Sequence, residues 1–157
     1  MIAKDKLQNE KSSSVLIGVA GEYFVAAELS ARGYIASITL RNTKGVDIVC
    51  TNSDASKSVA IQVKTNRRSN RDWILNEKSE SFYAKNHYYV FVNLNDSTKS
   101  PDYFVVPSEQ VATYIKTSHQ TWLETPGRSG KSHNATTMRK FSDKEEQYLD
   151  RWDLLGL

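Results

Sequence analysis

The segment KGVDIVCTNSDASKSVAIQVKT, residues 44–65, decides the predicted fold. Its two ends are rich in β-branched residues and its middle, residues 51–57, is polar, which predicts two short strands joined by a turn. In the second strand three apolar residues alternate with three others, so that one face is apolar and the other polar. The apolar residues are Val59, Ile61 and Val63, and those between them are Ala60, Gln62 and Lys64.

If the two strands pair as a hairpin, Asp47 of the first strand lies near Gln62 and Lys64 of the second. A carboxylate and an amide oxygen are ligands that a divalent cation prefers. An ammonium beside them can hold a water or a phosphate oxygen, so the pattern indicates metal-assisted attack on a phosphodiester. The alternative is an exposed hairpin whose polar residues have no role, because Asp followed by Gln-x-Lys is a short pattern.

A helix is predicted before these strands. A serine run, residues 12–14, offers an N-cap, apolar residues then recur at helical spacing, and Gly33 ends the helix. Glu22 lies within it. Gly18 and Gly21 are one turn apart and indicate either a close approach of the backbone to a neighbour or a weak first turn.

The remaining pattern predicts a mixed α/β domain that spans residues 1–157, with residues 1–11 frayed. Strand 87–94 is apolar on both faces, which places it inside the sheet. The sheet begins as a meander, gains further strands and is flanked by helices. Outside the first helix and the hairpin, the predicted elements are strand 34–40, a short helix at 77–85, strands 87–94 and 102–106, a helix from 108 to about 123, a loop at 125–136 and a C-terminal helix at 142–157.

Composition is that of a soluble globular protein, with 39% hydrophobic and 25% charged residues among 157. No apolar run appears long enough to span a bilayer, and the first residues lack a signal-peptide core, so we expect a cytoplasmic protein without membrane contact. Cys50 is predicted to be a small buried apolar residue. The net charge of +3 permits nucleic-acid binding without arguing for it.

Three phrases carry a resemblance to a known family. They are Gly-Glu at 21–22 in the helix that ends Arg-Gly-Tyr at 32–34, Gly-Val-Asp-Ile-Val at 45–49, and Ile-Gln-Val-Lys-Thr at 61–65. Together they resemble the PD-(D/E)xK nuclease superfamily, which includes archaeal Holliday-junction resolvases and many restriction enzymes. The resemblance implies a restriction-endonuclease-like fold, a Mg²⁺- or Mn²⁺-dependent endonuclease, a DNA substrate and a homodimer.

The resemblance also implies a role for each residue of the motif. Glu22, Asp47, Gln62 and Lys64 would form the catalytic set. Asp47 and Glu22 match acidic metal ligands, Gln62 stands where most members have a carboxylate ligand, and the backbone carbonyl of Val63 faces the metal. Lys64 matches the lysine that holds the attacking water or stabilises the transition state.

Two positions depart from the family pattern. Val46 stands where many members have a proline, and other members share this change. Gln62 can still offer an oxygen to a hard cation, but it adds no negative charge. This change implies weaker metal binding or a loss of catalysis, although some modification-dependent restriction enzymes also carry Gln-x-Lys.

Residues after the hairpin are candidates for contact with nucleic acid. Arg67, Arg68 and Arg71 would suit phosphates, and Trp73 would suit a base. The alternatives are a solvated loop for the arginines and a core position for the tryptophan. Segment 125–132 looks like a nucleotide-binding loop, but it lacks the first glycine and follows a helix, which excludes nucleoside triphosphatase activity.

Three functions remain open at this stage. The first is a metal-dependent nuclease acting on DNA in repair, restriction or defence. The second is a nucleic-acid-binding module on the same fold with weakened or lost catalysis, which Gln62 suggests. The third is a protein-interaction subunit that docks through the predicted C-terminal helix, with Tyr148, Trp152 and Leu155 on its apolar face.

Overall fold

The computed structural model describes residues 14–40, 43–67, 70–96 and 98–157. The predicted frayed segment 1–11 lies outside the described residues. Two short 3₁₀ helices, Glu77–Glu80 and Trp152–Leu155, accompany the main elements. In chain order these are α1 (Ser14–Ala31), β1 (Ile35–Ile38), β2 (Ile48–Thr51), β3 (Ser58–Asn66), β4 (Asp72–Asn76), β5 (His87–Asn93), β6 (Asp102–Pro107), α2 (Ser108–Glu124) and β7 (Met138–Ser142).

The main sheet has five strands in the order β1-β2-β3-β5-β6. The first three strands form an antiparallel meander, β5 runs parallel to β3, and β6 runs antiparallel to β5. The predicted mixed sheet that starts as a meander is therefore confirmed. Strand β5 lies inside the sheet, as its apolar residues on both faces predicted.

Two cores cover the two faces of this sheet. On one face α1 packs through Val25 and Leu29 against Ile61 of β3. On the other face α2 and the β4–β7 pair enclose an aromatic core that includes Tyr89 and Phe91 of β5. Each face of β5 therefore contacts a different core. Because both faces of the sheet are covered, we look for a functional site at the ends of its strands.

A second sheet, made of β4 and β7, was not predicted. Both strands are short and carry charged residues; their buried positions are apolar except for Arg139, which forms an ion pair with Glu80. Trp73 of β4 is 2% exposed, packs on Phe91 and donates its indole N–H to the Val92 carbonyl at 3.1 Å. The hypothesis that Trp73 contacts nucleic acid is therefore wrong, because its ring belongs to the core.

The predicted C-terminal helix at 142–157 is also wrong. Ser142 ends β7, and the chain then forms turns up to the short helix Trp152–Leu155. Part of its backbone bonds to β6: Val105 N–H donates to the Tyr148 carbonyl at 3.0 Å, and Asp150 N–H donates to the Tyr103 carbonyl at 2.8 Å. Trp152 and Leu155 are buried in the core, so they offer no docking face.

Helix α1 is more apolar than we expected from the sequence. Among the described residues it is the one helix long and apolar enough to cross a membrane, judged by length and composition, and its mean hydropathy is 1.3. The expectation that no apolar run reaches that length was wrong for residues 14–31. One such helix is weak evidence for a membrane span. In this helix 17% of the residues are buried, and Val25 and Leu29 pack against the sheet.

Cys50 is fully buried in β2, and burial raises the pKa of its thiol from 9.0 to about 11. We expect a thiol reagent to label the native protein at least about 100-fold more slowly than the unfolded chain at about pH 8, since the thiolate is the reactive form. The chain has one cysteine, so the label reports on this site alone. Equal labelling rates in buffer and in denaturant would contradict the assignment.

Candidate active site

Asp47 lies where the pairing of β2 and β3 opens. Its backbone N–H donates to the Ile61 carbonyl at 2.8 Å, and its carbonyl accepts from Thr39 N–H at 2.9 Å. Its carboxylate oxygen Oδ2 accepts from Val63 N–H at 2.7 Å. Because β2 begins at Ile48, this carboxylate takes the place of a strand partner for Val63. Three hydrogen bonds therefore fix the position of Asp47 against β1 and β3.

The register of the hairpin sets the direction of the side chains. Ile48 is paired with Ile61, and both lie in the core beneath α1. Successive strand residues point to opposite faces, so Asp47 and Gln62 point away from that core. Tyr89, the partner of Gln62 on β5, agrees with this placement: burial raises the pKa of its hydroxyl, and the Asp47 charge adds to the shift.

The turn before Asp47 is held by two aromatic residues. Gly45 has a φ of +73°, and its carbonyl accepts a hydrogen bond at 2.8 Å from Nε2 of the buried His87. The Phe82 ring packs edge-on against His87 with 5.0 Å between ring centres. Burial lowers the pKa of His87, while the bond to Gly45 and the charge of Asp47 oppose that shift. A neutral imidazole that donates from Nε2 thus locks the turn that carries Asp47.

Sequence reasoning assigned no role to His87. Its partner is a backbone carbonyl, which a side-chain pattern does not reveal. The signal that was available is Gly45 itself, because a glycine two residues before a candidate ligand often marks a backbone conformation that other residues resist.

Replacing Gly45 by alanine should destabilise the protein by about 2–4 kcal/mol, because the new Cβ combines a left-handed backbone with a clash. That Cβ would lie 2.4 Å from the Phe82 ring. Gly130→Ala is the matched control, since Gly130 has a φ of +71° and open space around the Cβ position. Urea denaturation should show the larger loss at Gly45; equal losses would mean that the Phe82 contact contributes nothing.

Glu22 reaches the site from α1. A Cβ at the preceding residue, Gly21, would lie 1.8 Å from Oγ1 of Thr65, so α1 approaches the end of β3 closely. Glu22 and Asp47 line one cavity of about 310 Å³ between α1 and the connection from β1 to β2. One residue of the first helix and the residue before β2 therefore line the same solvent-accessible cavity. The remaining lining residues are Ser14, Val15, Gly18, Val19, Thr39, Leu40 and Thr43.

Gln62 and Lys64 flank Val63 on β3 and are half-buried. Neither lines the cavity of Glu22 and Asp47. Lys64 lines a neighbouring cavity of about 370 Å³ together with residues of β4 and β7. The structure thus brings Glu22 and Asp47 together, links Asp47 to β3 through Val63, and places the Lys64 side chain in an adjacent cavity.

The donor set suits one hard divalent cation. Within the described ranges no group of three or more His, Cys, Asp and Glu side chains has the arrangement of a metal site. Mg²⁺ needs fewer protein ligands, because it is commonly held by one or two carboxylates with waters and substrate phosphates. Asp47 and Glu22 meet that need. The backbone carbonyl of Val63 points toward β2, as its N–H does, since both groups of a strand residue face the same neighbour.

The predicted basic contacts differ in their surroundings. Arg67 is exposed at the end of β3 and lines a surface depression with Phe24. Arg71 forms an ion pair with Glu146, which ties the start of β4 to the segment after β7. Arg68 lies outside the described residues. Arg67 is therefore the predicted arginine that the structure leaves turned to solvent near β3.

Comparison with known proteins identifies the fold. No family model and no curated protein matches the chain. A bacterial homing endonuclease has a similar structure, with a TM-score of 0.55 and 12% identity over 93% of this chain and 94% of that one. Hjc, a Holliday junction resolvase from the archaeal hyperthermophile Archaeoglobus fulgidus, aligns with a TM-score of 0.51 and 13% identity over 88% and 95%. The chain therefore has the same fold as these two proteins, the restriction-endonuclease-like fold that the resemblance implied.

Proposed function

We propose that this protein is a nuclease that hydrolyses phosphodiester bonds of DNA with the help of Mg²⁺ or Mn²⁺. The observation that supports the proposal is that Glu22 and Asp47 line one cavity between α1 and the connection from β1 to β2, in a fold shared with nucleases.

The residues of the site have distinct tasks. Asp47 and Glu22 hold the cation, and the Val63 N–H keeps one Asp47 oxygen in a fixed orientation. A bound ion supplies a Lewis acid for the phosphate and an activated water. Lys64 places a positive charge on the adjacent polar side of β3, where it attracts the substrate phosphate. Gln62 offers a neutral oxygen and no charge, which makes the site less acidic than one with three carboxylates.

The direct test uses the purified full-length protein with plasmid, branched and single-stranded DNA. We expect cleavage in Mg²⁺ or Mn²⁺ and none in EDTA. A product formed equally well in EDTA would exclude metal dependence, and the absence of any product on all three substrates would exclude the nuclease. The preferred substrate among the three would define the substrate class.

A second candidate is a DNA-binding module with weakened or lost catalysis. Gln62 favours it, and so does the position of Lys64 outside the cavity of the two acids. Calorimetry separates the two candidates. A module without catalysis would bind DNA in a salt-dependent manner but take up no Mg²⁺ or Mn²⁺.

The cytoplasmic location and the homodimer remain predictions from the sequence. Light scattering tests the homodimer: a measured mass equal to one chain at micromolar protein concentration would exclude it.

A further inference from the structure

A groove leads away from Lys64 on the face of the molecule that carries β4, β7 and α2. Two cavities, of about 370 and 450 Å³, share the lining residues Ile74 and Lys140. The first contains Lys64, and the second reaches Tyr114 and Trp122 of α2. The two cavities therefore adjoin at Ile74 and Lys140, and together they are called the β4–β7 groove below.

The far half of the β4–β7 groove is apolar and exposed. Ile74 is 57% exposed, Met138 56% and Tyr114 39%. Large side chains grouped in this way on a soluble protein commonly mark a binding surface. Trp122 is equally exposed, at 39%, but the rings of His119 and His133 stack on it, whereas the one ring contact of Tyr114 in the described residues is with Phe141 at an angle of 62°. Tyr114 is therefore the ring best placed to receive a flat apolar group.

The charges along the groove favour an anion. Lys64 and Lys140 line the half nearest the candidate active site, and Asp72 is the acid among its lining residues. Asp72 pairs with Lys140, whose Nζ lies at 3.7 Å, and contacts the Ser142 hydroxyl. A phosphate must therefore compete with Asp72 for Lys140 in this exposed ion pair, while Lys64 supplies the net positive charge of this half. A ligand that suits this groove has repeated negative charges and flat apolar faces, which describes a nucleic-acid strand.

The strand must be unpaired over the groove. In a duplex the base faces stack on one another and are not presented to the protein, whereas single strands can stack bases on aromatic side chains. We propose that the β4–β7 groove binds an unpaired strand of the substrate, with phosphates at Lys64 and Lys140 and a base on Tyr114. This proposal rests on the proposed function and extends it to substrates that have a single-stranded segment next to the cut.

The test measures binding without cleavage. Full-length Asp47→Asn protein is titrated into a fluorescent single-stranded DNA and into a blunt duplex of the same sequence, with anisotropy as the readout. Tyr114→Ala in this background should weaken single-strand binding about tenfold and leave duplex binding unchanged. Tyr114→Phe keeps the ring and should bind as well as the parent. Lys140→Ala should weaken single-strand binding and reduce its dependence on salt by about one phosphate contact.

Matched controls come from the segment before β5. Tyr83 and Lys85 are exposed and line neither cavity. Tyr83→Ala and Lys85→Ala should leave the affinity for single-stranded DNA unchanged. Tyr114→Ala overturns the proposal if it binds single strands as tightly as the parent, or if it loses duplex binding equally. The proposal is also overturned if the Asp47→Asn parent binds no nucleic acid in a salt-dependent manner, because the groove would then suit a protein partner.

The results distinguish failure of the groove proposal from failure of the proposed nuclease activity. A protein that cuts DNA in Mg²⁺ but binds single strands independently of Tyr114 disproves the groove alone. A protein that binds single strands through Tyr114 but cuts nothing disproves the nuclease and retains the groove.

Discussion

Asp47→Asn is expected to lower DNA cleavage by about 10³-fold or more while the protein remains folded. The asparagine carbonyl oxygen can still accept the Val63 N–H bond, which spans 2.7 Å in the native protein. What the substitution removes is one of the two negative charges in the cavity shared with Glu22. Loss of the charge weakens cation binding, and with it the Lewis acid that the reaction needs.

The measurement is the initial rate of plasmid cleavage at saturating Mg²⁺, with thermal unfolding as a check of the fold. Asp54→Asn is the matched control, because Asp54 belongs to the same hairpin and is exposed. Its carboxylate accepts from Ser56 N–H at 3.0 Å, so it too has a local backbone bond. A control that cuts normally and an Asp47→Asn variant that also cuts normally would together remove Asp47 from the mechanism.

Asp47→Ala separates the structural role of this residue from its chemical one. Alanine leaves the Val63 N–H without its acceptor in a part-buried position. An unsatisfied group of this kind costs about 1–3 kcal/mol. We therefore expect both variants to be inactive, but only the alanine variant to unfold at clearly lower urea concentration.

The sequence predicted the parts of this fold that depend on local periodicity. The alternation of Val59, Ile61 and Val63 indicated β3 and its buried face, and the predicted hairpin placed Asp47 beside it. The sequence did not reveal that the Asp47 carboxylate accepts a hydrogen bond from Val63 N–H, because that hydrogen bond depends on where β2 begins. The position of the Lys64 side chain in a separate cavity was likewise invisible, since β4 and β7 build that cavity.

The missed β4–β7 sheet and the wrongly predicted C-terminal helix have one physical origin, which is pairing between segments that are distant in the sequence. β4 and β7 are short, and each becomes a strand because the other lies beside it, with Trp73 paired to Phe141. The apolar spacing of Tyr148, Trp152 and Leu155 resembles a helix, yet Tyr148 bonds to β6 instead. Local propensity is a weak prior where such tertiary contacts are available.

Gly21→Ala should be the most damaging small substitution in α1. The new Cβ would lie 1.8 Å from Oγ1 and 2.9 Å from Cβ of Thr65, so turning the threonine side chain cannot relieve the contact fully. Either the helix or β3 must move, and overpacking of this kind costs about 1–3 kcal/mol. Since Glu22 is the next residue, the same movement shifts it relative to Asp47. We expect lower stability in urea and a loss of cleavage larger than the fraction of unfolded protein explains.

Gly18→Ala provides the comparison within the same helix. No atom lies within 4 Å of the Cβ position of Gly18, so alanine should raise stability by about 0.5–1 kcal/mol through its better helix propensity. Of the two readings that the glycine pair allowed, close approach therefore applies to Gly21 and not to Gly18. Thr65→Ala in the Gly21→Ala background removes the nearest atom but keeps the threonine Cβ position, and it should restore part of the stability. If Gly21→Ala and Gly18→Ala change stability and cleavage alike, the contact between α1 and β3 does not position Glu22.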